Sequence, residues 1–186
     1  MTKKLLLSLF VVFSTAGLVH AQKTPMVLTV NIGELYQNFW KAQEADEKFQ
    51  STVDNAQQEI QGMYEEGLTL ASDLQDLREK IKNPALTEDA RARFITDAQE
   101  LERLIRTKEA EVNSYRMQTE RILQQRRQSI IELHISEIRE VIVEVAKARG
   151  ADLVLNSAGM SVVYFDESYD VTQEVLAKLN ADKPTN

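Results

Sequence analysis

The sequence predicts an α+β protein that is mostly α, with a long antiparallel two-helix coiled-coil arm projecting from a small β body. Three observations carry that expectation. Apolar residues recur at spacings of three and four between residues 34 and 149, the signature of one helix face. The stretch Ile81 to Ala90, IKNPALTEDA, is the one firm break in that run. Short β-rich segments flank the helices, MVLTVNI before them and ADLVLN and SVVYF after them.

Residues 1–21 read as a signal peptide. Lys3 and Lys4 form a positive start, Leu5 to Phe13 a short apolar core, and Val19-His20-Ala21 a small-residue cleavage site. The apolar core is shorter than the roughly 20 residues of a membrane span, and no Cys follows it to carry a lipid. The mature chain then starts at Gln22 and is exported. Removing 21 of 186 residues leaves 165, and the loss of two Lys takes the net charge from −7 to −9. That balance argues against nucleic-acid binding, which depends on neutralising phosphates. Cysteine is absent, so packing or subunit association must hold an exported chain together.

The body opens at residues 22–40, where Val27, Thr29 and Asn31 alternate with Leu28, Val30 and Ile32. The arm follows at residues 41–128. Ala42, Ala45, Phe49, Val53, Ala56, Ile60, Met63, Gly67, Leu70, Leu74, Leu77 and Ile81 form a narrow apolar stripe, heptad-spaced from Val53 onward, on a helix expected from Glu34 to Lys82. The other faces are Gln, Glu, Asp and Lys, which suits an exposed arm better than a core helix. The turn falls at residues 83–87. Pro84 pushes Asn83 out of the helical region, and Thr87 caps a second helix from Glu88 to Arg149 that Gly150 ends.

At about 1.5 Å per residue the two helices reach roughly 70 and 90 Å. A turn centred near residue 85 places residue i opposite about residue 170 − i, so Leu70 faces Leu101 and Phe49 faces Ile122. The second stripe is Phe94, Ala98, Leu101, Ile105, Val112, Tyr115 and Ile122, interrupted by Lys108, Thr119 and Arg126.

Residues 129–180 return to the body. Ile130, Leu133, Ile135, Ile138, Val141, Ile142 and Val145 cover most of a helix circumference. Strands at Ala151–Asn156 and Ser161–Phe165 follow, then a helix opened by Asp170-Val171-Thr172, then a disordered tail at residues 181–186. The candidate body core is Val27, Val30, Ile32, Ile138, Val141, Leu153, Leu155, Val163 and Phe165. Three strands in about fifty residues make a small core with open edges, and association of several copies is the simplest remedy.

Catalytic and metal constellations are missing from the sequence. The mature chain holds one His, His134, among Ile130, Leu133 and Ile135, where a hydrogen-bonded helix histidine is the simpler account. Gly62 to Gly67 has the outer spacing of a phosphate loop, but Leu68-Thr69 replaces the required Lys-Ser/Thr. Asp166 to Asp170 lacks the alternating ligands of a calcium loop. No cofactor is implied, and the chain is not read as an enzyme. What remains is surface. Met63, Tyr64, Leu68, Phe94, Leu104 and Met117, on or beside the seam, are candidate contacts for apolar segments of another chain. Lys80, Lys82, Arg91 and Arg93 form a candidate basic patch at the arm tip.

The order of these pieces resembles the Skp (OmpH) family of periplasmic chaperones. VLTVNIGELYQNF (Val27 to Phe39) and ADLVLNSAGMSVVYFDESYDVTQEVLAKL (Ala151 to Leu179) carry the likeness. The resemblance implies a jellyfish-like homotrimer in which a shared β body bears three arms around a cavity. It further implies a periplasmic, ATP-independent holdase that binds unfolded outer-membrane β-barrel proteins in that cavity and prevents their aggregation in transit. This chain departs from the best-known members, which are strongly basic: Asp73 to Asp97 holds five basic residues against six acidic ones. Contact with lipopolysaccharide or a membrane surface is therefore not carried over. The alternative reading is a trimeric coiled-coil envelope spacer or adaptor with a fixed partner at the arm tips.

Overall fold

The structure is a computed structural model in which residues 24–184 are described. The expected signal peptide at residues 1–21 lies outside the described residues, as do the last two residues of the expected tail. In chain order the elements are strand β1 (Val27–Val30), helix α1 (Ile32–Asn38), helix α2 (Trp40–Ile81), helix α3 (Glu88–Arg149), strand β2 (Leu153–Asn156), a 3-10 turn (Glu167–Tyr169) and helix α4 (Thr172–Leu179).

The strands pair in parallel, with Val27 beside Leu153 and Val30 beside Asn156. Parallel neighbours need a crossover connection, because a tight turn reverses direction. Here the crossover is the whole arm. The inward side chains of β1, Leu28 and Val30, pack with Leu35, Phe39, Ala42, Ile138, Ile142, Val145, Val171, Val175 and Leu179 into one core. Each large side chain fully buried there is stabilising by about 1.5–3 kcal/mol relative to exposure.

One continuous first helix is expected from Glu34, but the chain breaks at Phe39, which is extended at φ −76° and ψ 116°. The break lets the Phe39 ring turn into the core. It also frees two backbone groups, and the Asn180 side chain takes both. Its oxygen accepts from the Trp40 N–H at 3.1 Å and its amide donates to the Asn38 carbonyl at 3.0 Å. Asn180, at the C-terminal end of α4, thus stitches the body shut.

Two strands are expected after the arm, and one forms. Ser161–Phe165 makes no ladder, and both sides of β1 are occupied by other segments. β2 lies on one side, and on the other the Val171 N–H donates to the Thr29 carbonyl at 3.0 Å. In consequence Leu153, Leu155 and Val163 do not join the core of the single chain. Leu153 and Leu155 lie on the outer face of the sheet, and Val163 is 95% exposed. Val30 and Ile138 are fully buried, while Val27, Ile32, Val141 and Phe165 are half-buried.

The arm is built from 42 residues of α2 and 62 of α3, about 63 and 93 Å of helix. Every residue of the stripe from Ala42 to Ile81 is buried or half-buried, while most of its neighbours are exposed. The register differs from the symmetric expectation. Glu66 meets Lys108 and Glu59 meets Tyr115, so residue i lies across from residue 174 − i. The cause is at the tip. Arg91 donates to the carbonyls of Ile81 and Asn83, which sets the end of α2 level with the close of the first turn of α3. Helix α3 therefore starts beyond the end of α2. Farther down, Leu123 occupies the seam and Ile122 does not. A straight helix drifts about 20° per heptad, which brings the next residue round to the partner.

Candidate functional site

The exposed apolar groups of the arm fall into two sets. On α2, Tyr64 and Leu68 are four residues apart and about half exposed. They border a groove between the helices with a volume of about 230 Å³, floored by Met63, Gly67, Ile105 and Val112. Gly67 lines it without a side chain, and a Cβ there would make ordinary van der Waals contact with the Lys108 side chain at 3.7 Å. On α3, Leu104, Ile122 and Leu133 are exposed. Their separations of 18 and 11 residues are close to five and three whole turns, so they line one edge of the helix. Met117 and Ile95 are exposed apart from these sets, and Phe94 and Met63 are half-buried in the seam. Sequence reading assigned Ile122 to the seam and Leu133 to the body. The signal that marks both as exposed is the drift of the seam toward Leu123.

The electrostatics differ between the two helices. From Phe49 to Leu77, α2 carries Asp54, Glu59, Glu65, Glu66, Asp73 and Asp76 and no basic residue. Lys108 is the cation set into the seam, held by Glu66 at 2.8 Å and Glu111 at 3.6 Å. The hydrogen bond from Tyr115 to Glu59, at 2.5 Å, holds the Tyr115 hydroxyl above its ordinary pKa. These polar contacts fix the register at two heights. Among the described residues no acidic residue of α2 between Phe49 and Leu77 other than Glu66 forms an ion pair.

The four basic residues at the tip do not act together. Arg91 caps the C-terminal carbonyls of α2, where the helix dipole favours a cation. Lys82 pairs with Glu79 at 3.0 Å. Lys80 and Arg93 are exposed.

In the body, the outer face of the sheet borders a shallow cavity of about 690 Å³ lined by Val27, Thr29, Leu155, Val162, Phe165 and Tyr169, among others. Thr29 is buried on that side, and its hydroxyl has no hydrogen-bond partner. Tyr164, which also lines it, and Met160 stand almost fully exposed. His134 sits at the junction of arm and body. It is 6% exposed, edge-on to Phe39 and Tyr36, with Nδ1 3.1 Å from Glu137. The Asp166 carboxylate accepts the Ser168 hydroxyl at 2.6 Å and its N–H at 3.0 Å, which holds the carboxyl below the usual carboxylate range. Among the described residues no cluster of three metal-ligating side chains occurs, and no helix is long and apolar enough to cross a membrane.

A small parallel sheet is interrupted by a two-helix arm, and apolar side chains lie exposed on both outside the core. The model of the family described as "Outer membrane protein (OmpH-like)" matches residues 26–179, and the chain belongs to that family. Among solved structures, a Caulobacter crescentus protein proposed to be an OmpH-like outer membrane chaperone matches with a TM-score of 0.71. The match covers 88% of each chain at 15% identity, a likeness of fold. No curated sequence matches the chain significantly.

Proposed function

We propose that this protein is an exported, ATP-independent holdase that keeps unfolded outer-membrane β-barrel proteins from aggregating in the periplasm. The observation that carries the reading is the arm itself, about 63 Å of paired helix whose α2 seam residues are buried or half-buried while Tyr64, Leu68, Leu104 and Met117 stay exposed on its flanks. Such groups offer many weak contacts to apolar segments of another chain. A binder of that kind lowers the free concentration of unfolded chain, and aggregation, being of higher order than folding, is suppressed more.

The working unit in this proposal is a homotrimer with the arms around a cavity. Its support within the chain is the uncovered outer face of the sheet, with Leu153, Leu155 and the nearly bare Met160, Val163 and Tyr164. Patches of this kind mark association surfaces. Ser161–Phe165 has a strand composition without a strand partner, and the outer edge of β2 is open. In the trimer the segment of one copy adds to that edge in the next.

The test is dilution of a urea-unfolded barrel protein into stoichiometric mature chain, followed by light scattering and sedimentation. The expected result is suppressed scattering by a species of three copies. Replacing Gly62–Val112 by a short Gly-Ser turn cuts both helices at matching heights in the observed register. That variant should remain a trimer and lose the protection. Unchanged scattering with the intact protein, or a single fixed partner captured at the tip, would replace the holdase reading with that of an adaptor.

A further inference from the structure

The inference drawn from the groove at Gly67 rests on the holdase reading and names the chemistry of the segment the arm prefers. At about 230 Å³ the groove is smaller than the roughly 300–1,000 Å³ of ordinary ligand pockets, and its size suits one side chain of a polypeptide. Its floor is apolar, and Tyr64 and Leu68 extend it outward.

The groove is lined by one cation and one anion, Lys108 and Glu109. The Lys108 ammonium is already neutralised by Glu66 and Glu111. Glu109 lines the groove and makes no hydrogen bond or ion pair among the described residues. On the other helix, α2 presents no basic residue anywhere between Phe49 and Leu77. A carboxylate at the rim of an apolar slot favours a cation next to whatever fills the slot, and repels an anion there. We infer that the groove seats an apolar side chain of an extended client segment whose neighbouring lysine or arginine reaches Glu109 and the acidic face of α2.

The probes are two fluorescein-labelled peptides, one of Tyr-Lys-Ser repeats and one of Tyr-Glu-Ser repeats. Their binding to the full mature chain is followed by anisotropy at low and at high salt. The expected result is tighter binding of the lysine peptide by about tenfold at low salt, with the preference shrinking as salt screens the carboxylates. Glu109→Gln should weaken the lysine peptide about threefold, and Glu47→Gln, far down the same arm, should change it less. Gly67→Leu fills the slot and should weaken it further. Leu68→Ser, at an exposed position, tests the wall without disturbing the seam; circular dichroism melts check that each variant remains folded.

Equal binding of the two peptides, equal losses for Glu109→Gln and Glu47→Gln, or no loss for folded Gly67→Leu and Leu68→Ser would each overturn the site. Scattering of the barrel client, measured on the same samples, keeps the two claims apart. Protection without peptide discrimination removes this inference alone, whereas absence of both removes the holdase reading as well.

Discussion

The Thr29 hydroxyl is buried without a partner on the outer face of the sheet. Removing an orphan polar group spares its desolvation penalty, so Thr29→Val should stabilise the protein by about 1 kcal/mol in urea titration. A loss of stability instead would mean that a neighbouring copy supplies the missing partner. Asp166 offers a second test. Its lowered pKa means that its contribution to the 3-10 turn is present at neutral pH and is lost as the pH falls through the depressed value. In Asp166→Asn the acid transition of the turn, followed by NMR shifts of Ser168 and Tyr169, should disappear. A transition that persists in the variant would assign it to another group.

At the scale of elements, Arg91 ties the two helices where they meet. Arg91→Gln should destabilise the end of α2 by about 0.5–1 kcal/mol, seen as faster amide exchange over Arg78 to Lys82 with the middle of the arm unchanged. Much of this architecture is legible in the chain because its causes are local. The stripe from Ala42 to Ile81 follows from periodicity, and Thr87 and Gly150 mark helix ends by their own chemistry, Gly150 at φ +68°. What escaped notice is caused from a distance. Nothing near Phe39 announces a break, since the asparagine that satisfies the freed groups is Asn180, some 140 residues on. The segment Ser161–Phe165 has the composition of a strand, but composition does not supply a partner, and within the chain it pairs with neither β1 nor β2. The groove depends on Gly67 and on a register set by Arg91, and a count from the turn misplaces that register by four residues.

At the scale of the whole molecule, the body is joined from pieces that lie far apart in sequence, while the arm is made of neighbours across a six-residue loop. Val27–Val30 must wait for Leu153–Asn156 before either has a partner. The arm should therefore zip up first, because its contacts close short loops near the tip and then propagate. The one tryptophan, Trp40, lies against the core at the base of the arm and reports on closure of the body. In stopped-flow refolding, far-UV circular dichroism should lead Trp40 fluorescence; simultaneous phases would refute that order.

On the proposed reading, in which the arm is the working limb and the chain is exported N-terminus first, this crossover has a further consequence. The first strand emerges with its mate still more than a hundred residues behind. Until the last quarter of the polypeptide arrives, the emerging molecule carries finished helices and no anchor. Stalled or prematurely terminated copies would have sticky limbs without the hub that organises them, and they should be prime targets for proteolysis.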